Sequence, residues 1–194
     1  MKALNEAFWS GRYAEGKTAW DIGEISTPLK AYIDQLTNKN LRILVPGCGQ
    51  GHEAAYLWKQ GFQHTYVVDL AQEPLDLLRE AIPDIPKDHL VHGNFFELEG
   101  EFDLILEQTF FCALSPSLRK KYAEKMHELL AEGGKLVGLL FDFPLTEEGP
   151  PFGGNKEEYL NYFEPHFKIG LMERALNSIA PRSGRELFVK LEKK

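Results

Sequence analysis

Several things are scarce in this sequence, and each scarcity excludes a class. Two cysteines among 194 residues, Cys48 and Cys112, form neither a disulfide framework nor a metal-binding spacing. The six histidines show no H-x-x-x-H or H-x-x-E-H pattern, so no metal site is expected. No apolar run approaches the roughly 20 residues that a membrane-crossing helix needs. The first residues, MKALNEAFWSGRYAEGK, carry charges where a secretory signal would be apolar, which predicts a cytoplasmic protein. Positive charge is also in short supply. With 22 Lys+Arg against 29 Asp+Glu the formal charge is −7, which argues against a surface built to grip nucleic acid or anionic lipid. Hydrophobic residues at 43% and charged residues at 26% describe an ordinary globular chain, and the length suits one domain with an ample core.

The alternation of segments is informative. A helix is expected at 28–37, opened by Pro28, followed by a buried strand at 41–46 that Pro46 and Gly47 stop. A second helix starts at His52 and closes at Gly61. Strand-like residues 64–70, helical 72–82 and strand-like 89–96 follow. Residues 102–114 begin with a fourth strand. A helix opened by Ser115-Pro116 runs to Gly133-Gly134, and 135–143 read as a fifth strand. Strands separated by helices imply a mostly parallel sheet with helices on both faces. After 143 the rhythm changes to a Pro- and Gly-dense loop through 155, long enough to be functional. A helix near 155–164 precedes two segments, HFKIGLMERAL and RELFVKLEKK, which are expected to pair antiparallel and finish a seven-stranded sheet. The whole forms a Rossmann-like α/β fold.

The turn Gly47-Cys48-Gly49-Gln50-Gly51 lies between the first strand and its helix. Glycine there permits a tight turn and close approach of a ligand to the main chain. Its G-x-G-x-G spacing is neither the dinucleotide fingerprint nor a phosphate-cradling loop ending in G-K-S/T. Asp69 ends the second strand, where an acid can accept hydrogen bonds from a ribose diol. Asn94-Phe95 ends the third, where an amide can read an adenine edge and a ring can cover its face. Each has a structural alternative: Asp69 as a helix cap, Asn94 as a turn former, Phe95 as core. Together they favour an adenosine ligand, with S-adenosylmethionine ahead of NAD.

Four stretches carry a resemblance: W-x-x-x-Y-x-x-G-x-T-A-W-D-I-G at 9–23, L-V-P-G-C-G-x-G-H at 44–52, F-F-C-A-L at 110–114 and G-P-P-F at 149–152. With them the chain resembles the class I S-adenosylmethionine-dependent methyltransferases, and within these the thiopurine S-methyltransferase family, especially its halide and thiol methyltransferase branch. The resemblance implies that residues 1–27 form an arm over the cofactor, with Trp9, Tyr13 and Trp20 against the sulfonium. By residue type alone, the favoured reading is that these aromatics pin an arm to the core; the resemblance tips them to the cofactor. Tyr13 stands where relatives carry Trp, and Glu107-Gln108 where the halide/thiol branch carries Asp-Tyr. Both residues are expected at the cofactor, Gln108 through its backbone. The Asn-Pro-Pro-aromatic turn of amino-methyltransferases is missing. Acceptor-side candidates are Phe110, Phe111, Phe141, the loop at 143–155 and Arg182, the last as an anion guide. No acid–base catalytic residue is expected, because a soft nucleophile needs little or no deprotonation. The implied protein is a monomer or weak homo-oligomer that methylates a small thiol, sulfide or halide. Two alternatives stay open: a non-catalytic S-adenosylmethionine-binding protein, and an NAD(P)-dependent oxidoreductase.

Overall fold

The computed structural model describes residues 4–194. The first three residues of the expected arm therefore lie outside the described residues. Apolar residues in the strands alternate in direction, and both directions are buried. Ile43 and Val45 of β1 (Ile43–Pro46) and Leu104 and Leu106 of β4 (Phe102–Gln108) pack into one hydrophobic cluster. Their neighbours Leu44 and Ile105 pack into a second cluster on the opposite face. A sheet buried on both sides requires helices on both sides. Leu29 and Ile33 of α2 (Thr27–Ile33), Leu57 of α3 (His52–Lys59) and Leu75 and Leu78 of α4 (Glu73–Ala81) cover the first face. Tyr122 and Met126 of α5 (Arg119–Leu129) and Tyr159 and Phe163 of α6 (Lys156–Phe163) cover the second.

With β2 (Thr65–Asp69), β3 (Leu90–His92), β5 (Leu130–Phe141), β6 (Phe167–Arg174) and β7 (Glu186–Lys193), the sheet has seven strands in the order β3-β2-β1-β4-β5-β7-β6. β1 to β5 pair in parallel, while β7 runs antiparallel between β5 and β6. This is the expected Rossmann-like sheet with its C-terminal antiparallel pair. The order reverses at β1, whose neighbours are β2 and β4. A crevice at the carboxyl ends of the strands is the usual ligand site at such a reversal.

Three boundaries differ from the sequence expectation. The helix expected at 28–37 ends at Ile33, with residues 34–36 forming a turn. The third strand stops at His92, so Asn94 and Phe95 belong to the following 3₁₀ turn. The helix expected to reach Gly133-Gly134 ends at Leu129, and β5 begins at once with Leu130 paired to Phe102. The two glycines occupy an irregularity after which Lys135 pairs Leu104. A Cβ on Gly134 would lie 2.8 Å from the Ala131 carbonyl oxygen, so this glycine is needed for close strand packing, not for stopping a helix.

Candidate active site

A cavity of about 1130 Å³ opens at the carboxyl ends of the parallel strands, beneath α1 (Glu6–Ala14). The main chain forms its floor. Gly47 and Gly49 adopt φ of +58° and +55°, and both line the cavity. A Cβ on Gly47 would stand 2.3 Å from Cδ2 of Phe110, and one on Gly49 would meet the Trp20 indole nitrogen at 3.4 Å. Both positions thus need glycine for conformation, and Gly47 also for space.

The arm closes over this floor. Trp9 and Tyr13 on α1 each meet Trp20 edge-on, with ring centroids 5.6 Å apart, and all three line the cavity. Polar contacts hold the arm down. Ser10 Oγ donates to Glu73 Oε2 at 2.9 Å, and Asp21 Oδ1 sits 2.8 Å from His52 Nε2. Burial raises the Tyr13 hydroxyl pKa, and the neighbouring Asp69 charge adds to that.

Asp69 lines the cavity where β2 ends, and its Oδ1 accepts the Ala71 N–H at 3.0 Å. Burial pushes its pKa up to about 6, against the pull of backbone N–H donors. Asn94 and Phe95 also line the cavity. The Asn94 side chain, however, is engaged in its own turn: Oδ1 accepts the Phe96 N–H at 3.1 Å and Nδ2 donates to Glu97 Oε1 at 3.0 Å. The turn-former reading describes what that amide does in this structure.

Phe110, beside Gly47, and Phe141, Pro150, Pro151 and Arg182 also line the cavity and form its wall. Arg182 is only 9% exposed, so it is not a solvated surface arginine. Its Nη2 donates to the Trp20 carbonyl at 2.7 Å, its Nη1 lies 3.4 Å from Glu186 Oε1, and its guanidinium carbon is 5.7 Å from the Phe141 ring centroid. The Pro-rich loop is tied to this wall by the Phe152 N–H, which donates to the Cys112 carbonyl at 2.8 Å.

Three expected site residues lie outside the cavity lining. Phe111 is 1% exposed and packs against Tyr122, Tyr159 and Phe163, with centroids 4.9, 5.4 and 5.9 Å away. The turn after β4 sends Phe110 toward the cavity and Phe111 into the core. Glu107 is fully buried toward α5, its carboxylate accepting the Phe110 and Phe111 N–H groups and the Tyr122 hydroxyl. Gln108 does not line the cavity either, and its Oε1 is buried without a hydrogen-bond partner. Conversely, Thr109 and Ser117 line it, although nothing singled them out beyond following the end of β4. Among the described residues, no group of three or more His, Cys, Asp or Glu could hold a metal. Nor is any helix long and apolar enough to cross a membrane.

The model of the thiopurine S-methyltransferase family matches residues 4–192. The chain belongs to the thiopurine S-methyltransferase family. It is 31% identical to thiocyanate methyltransferase 1 of Brassica oleracea, over 95% of this chain and 84% of that protein. It is 28% identical to a probable thiol methyltransferase 2 of Arabidopsis thaliana, over 96% and 84% respectively. Among solved structures, a Burkholderia thailandensis 1,6-didemethyltoxoflavin-N1-methyltransferase with bound S-adenosylhomocysteine shares the fold. The match has a TM-score of 0.75 and 20% identity, and covers 97% of this chain and 87% of that one. The protein is therefore an S-adenosylmethionine-dependent methyltransferase. The residues present fit that cofactor: a glycine floor that a side chain would fill, a carboxylate at the end of β2, and three aromatic rings that can face a sulfonium.

Proposed function

We propose that this methyltransferase passes its methyl group to a small soft nucleophile, a thiol or hydrosulfide first and a halide second. The observation that carries this reading is the buried Arg182 guanidinium, which lines the cavity together with Phe141, Pro150 and Pro151. Glu186 offsets much of its charge, but the guanidinium has more N–H donors than its Glu186 and Trp20 contacts use, and these suit a compact anion. The names of the thiocyanate and thiol methyltransferase relatives support the same class.

Bound S-adenosylmethionine supplies an electrophilic methyl group for in-line displacement. In our reading the protein's part is to position and desolvate. The Gly47 and Gly49 backbone accommodates the cofactor's close approach, and Asp69 accepts hydrogen bonds from its ribose. Asn94 and Phe95 flank the adenine, and Trp9, Tyr13 and Trp20 exclude water from the sulfonium. Among the described residues, no acid–base pair lines the cavity beside Arg182, which suits a nucleophile that arrives ionised. We further propose that the chain acts as one domain, a monomer or weak homo-oligomer in the cytoplasm, without a nucleic-acid partner. The net charge of −7 supports the last point.

Formation of S-adenosylhomocysteine, measured across hydrosulfide, an alkyl thiol, a thiopurine, thiocyanate, iodide and a panel of amines, tests the acceptor class. Turnover with hydrosulfide or another sulfur anion is the expected result. Turnover confined to amines would overturn the reading.

A further inference from the structure

Glu107 is an unusual residue to find where it lies. It ends β4, is 0% exposed, and faces the α5 layer instead of the cavity. Its Oε1 accepts two backbone N–H groups, those of Phe110 and Phe111, both at 2.8 Å, while Oε2 accepts the Tyr122 hydroxyl. No ion pair with a cation is found for it among the described residues. The ionisable groups that face it are Tyr122 from α5 and Cys112 from the turn; Arg119 and Arg182 act on Cys112 in their turn. From β5 the neighbour is Gly138, where a Cβ would stand 2.3 Å from that of Glu107. A carboxylate buried with only neutral donors is costly, and a well-packed apolar side chain would be cheaper for stability alone.

Those donors belong to a turn that forms part of the cavity wall. Thr109 is held at φ +57°, the one non-glycine residue with positive φ among those described. Phe110 then stands against Gly47 of the cofactor floor. Two residues later the Cys112 carbonyl anchors Phe152 of the Pro-rich loop. Phe110, Cys112 and Ala113 all line the cavity. One carboxylate therefore fixes a wall that touches the glycine floor on one side and the Pro-rich loop on the other.

We propose that Glu107 is a positioning residue for methyl transfer, its Tyr122-held carboxylate fixing the 109–113 turn so that donor and acceptor meet in line. The proposal rests on the methyltransferase activity and on this cavity being its site, and not on which acceptor is used. Glu107 acts through Phe110 and the turn, and touches no reacting atom. Its ionisation bears on the arrangement. Burial pushes its pKa up to about 7, with the Tyr122 and backbone donors pulling the other way. Protonation adds a hydrogen where the site is built to accept, so the turn is held best at a pH above that value.

The test uses Glu107→Gln and Tyr122→Phe in the full chain. S-adenosylhomocysteine affinity is measured by calorimetry, and kcat is followed against pH with any acceptor the wild type turns over. The backbone amides of Phe110 and Phe111 are followed by NMR over the same range. Misplacing a reacting group by about 1 Å costs up to ~100-fold, so Glu107→Gln is expected to lower kcat about 10- to 100-fold with cofactor-product affinity within about 3-fold. In the wild type, both amides should titrate together with an acid limb of kcat, and Glu107→Gln should abolish that limb. Any limb belonging to hydrosulfide itself would persist in the variant. Should Glu107→Gln fail to fold, Tyr122→Phe decides: removing one donor from the carboxylate should move the limb and the amide titration to higher pH. Two results would overturn the proposal: a folded Glu107→Gln with kcat within about 2-fold of wild type, or a Tyr122→Phe profile that does not move. The acceptor reading stands or falls separately, on the wild type's turnover panel alone.

Discussion

The floor and the wall of the cavity are built on different principles. At the floor, Gly47, Gly49 and Asp69 come from two neighbouring parallel strands and the turns that follow them. Backbone geometry sets their positions, and the arm adds aromatic rings above them. At the wall, Arg182 reaches the Trp20 carbonyl across 162 residues of sequence, and Cys112 holds Phe152 of a separate loop. The wall depends on hydrogen bonds between segments distant in sequence, the floor on local chain path. Damage to the floor should therefore appear as lost cofactor affinity, and damage to the wall as a poorer acceptor KM or kcat.

The largest expected effect is Gly47→Val. Its Cβ would stand 2.3 Å from Cδ2 of Phe110 at a φ of +58°, so both space and conformation oppose it. Calorimetry should show S-adenosylhomocysteine affinity down by about 100-fold or more, roughly 3 kcal/mol. Affinity within about 3-fold would mean that floor and wall do not differ as described. Next is Arg182→Gln, which removes a charge while keeping a donor. It should raise the KM of an anionic acceptor about 10- to 30-fold, the lower part of what a hydrogen bond to a charged group contributes. Cofactor affinity should move far less, and an equal change in both would dissolve the distinction.

The smallest effect concerns pH at the floor. Asp69 has its pKa raised to about 6 by burial in the free protein. Hydrogen bonds from a ribose favour the ionised form, so affinity is complete above that pH and is lost as pH falls through it. Between pH 7 and pH 5, S-adenosylhomocysteine affinity should weaken about 10-fold, and Asp69→Asn should remove that dependence. Folding responds with the opposite sign. A carboxyl whose pKa is raised in the folded state contributes less to stability as pH rises from its ordinary value of 3.8 to about 6.

The same contrast explains what could be read from the sequence. β1, β2 and the glycine turn are contiguous, and their apolar runs end at glycine or at Asp69, so the position of the floor follows from short-range patterns. Asn94 lies two residues beyond the end of β3, in the turn that follows it. Its side chain was harder to read, because the 3₁₀ turn 95–97 takes up both ends of the amide. At the wall, Glu107 and Phe111 were expected at the ligand and instead face the core. Which way a residue points at a strand end and in the next turn depends on packing against Tyr122, Tyr159 and Phe163, which adjacency in sequence does not reveal. The burial of Arg182 was hidden for the same reason, since Trp20 and Glu186 create it. Gly133-Gly134 resembled a helix stop because a strand irregularity and a helix end favour the same residue.

The link from Arg182 to the Trp20 carbonyl also bears on redesign. A protein engineer who cuts this arginine back to a side chain with no donor, further than Arg182→Gln goes, also unfastens the lid above the cofactor, so acceptor range and cofactor retention become coupled in such a variant. Phe141 and the Pro150-Pro151 wall offer the better starting points for a library. They border the same space, and reshaping them leaves the clasp on the lid in place.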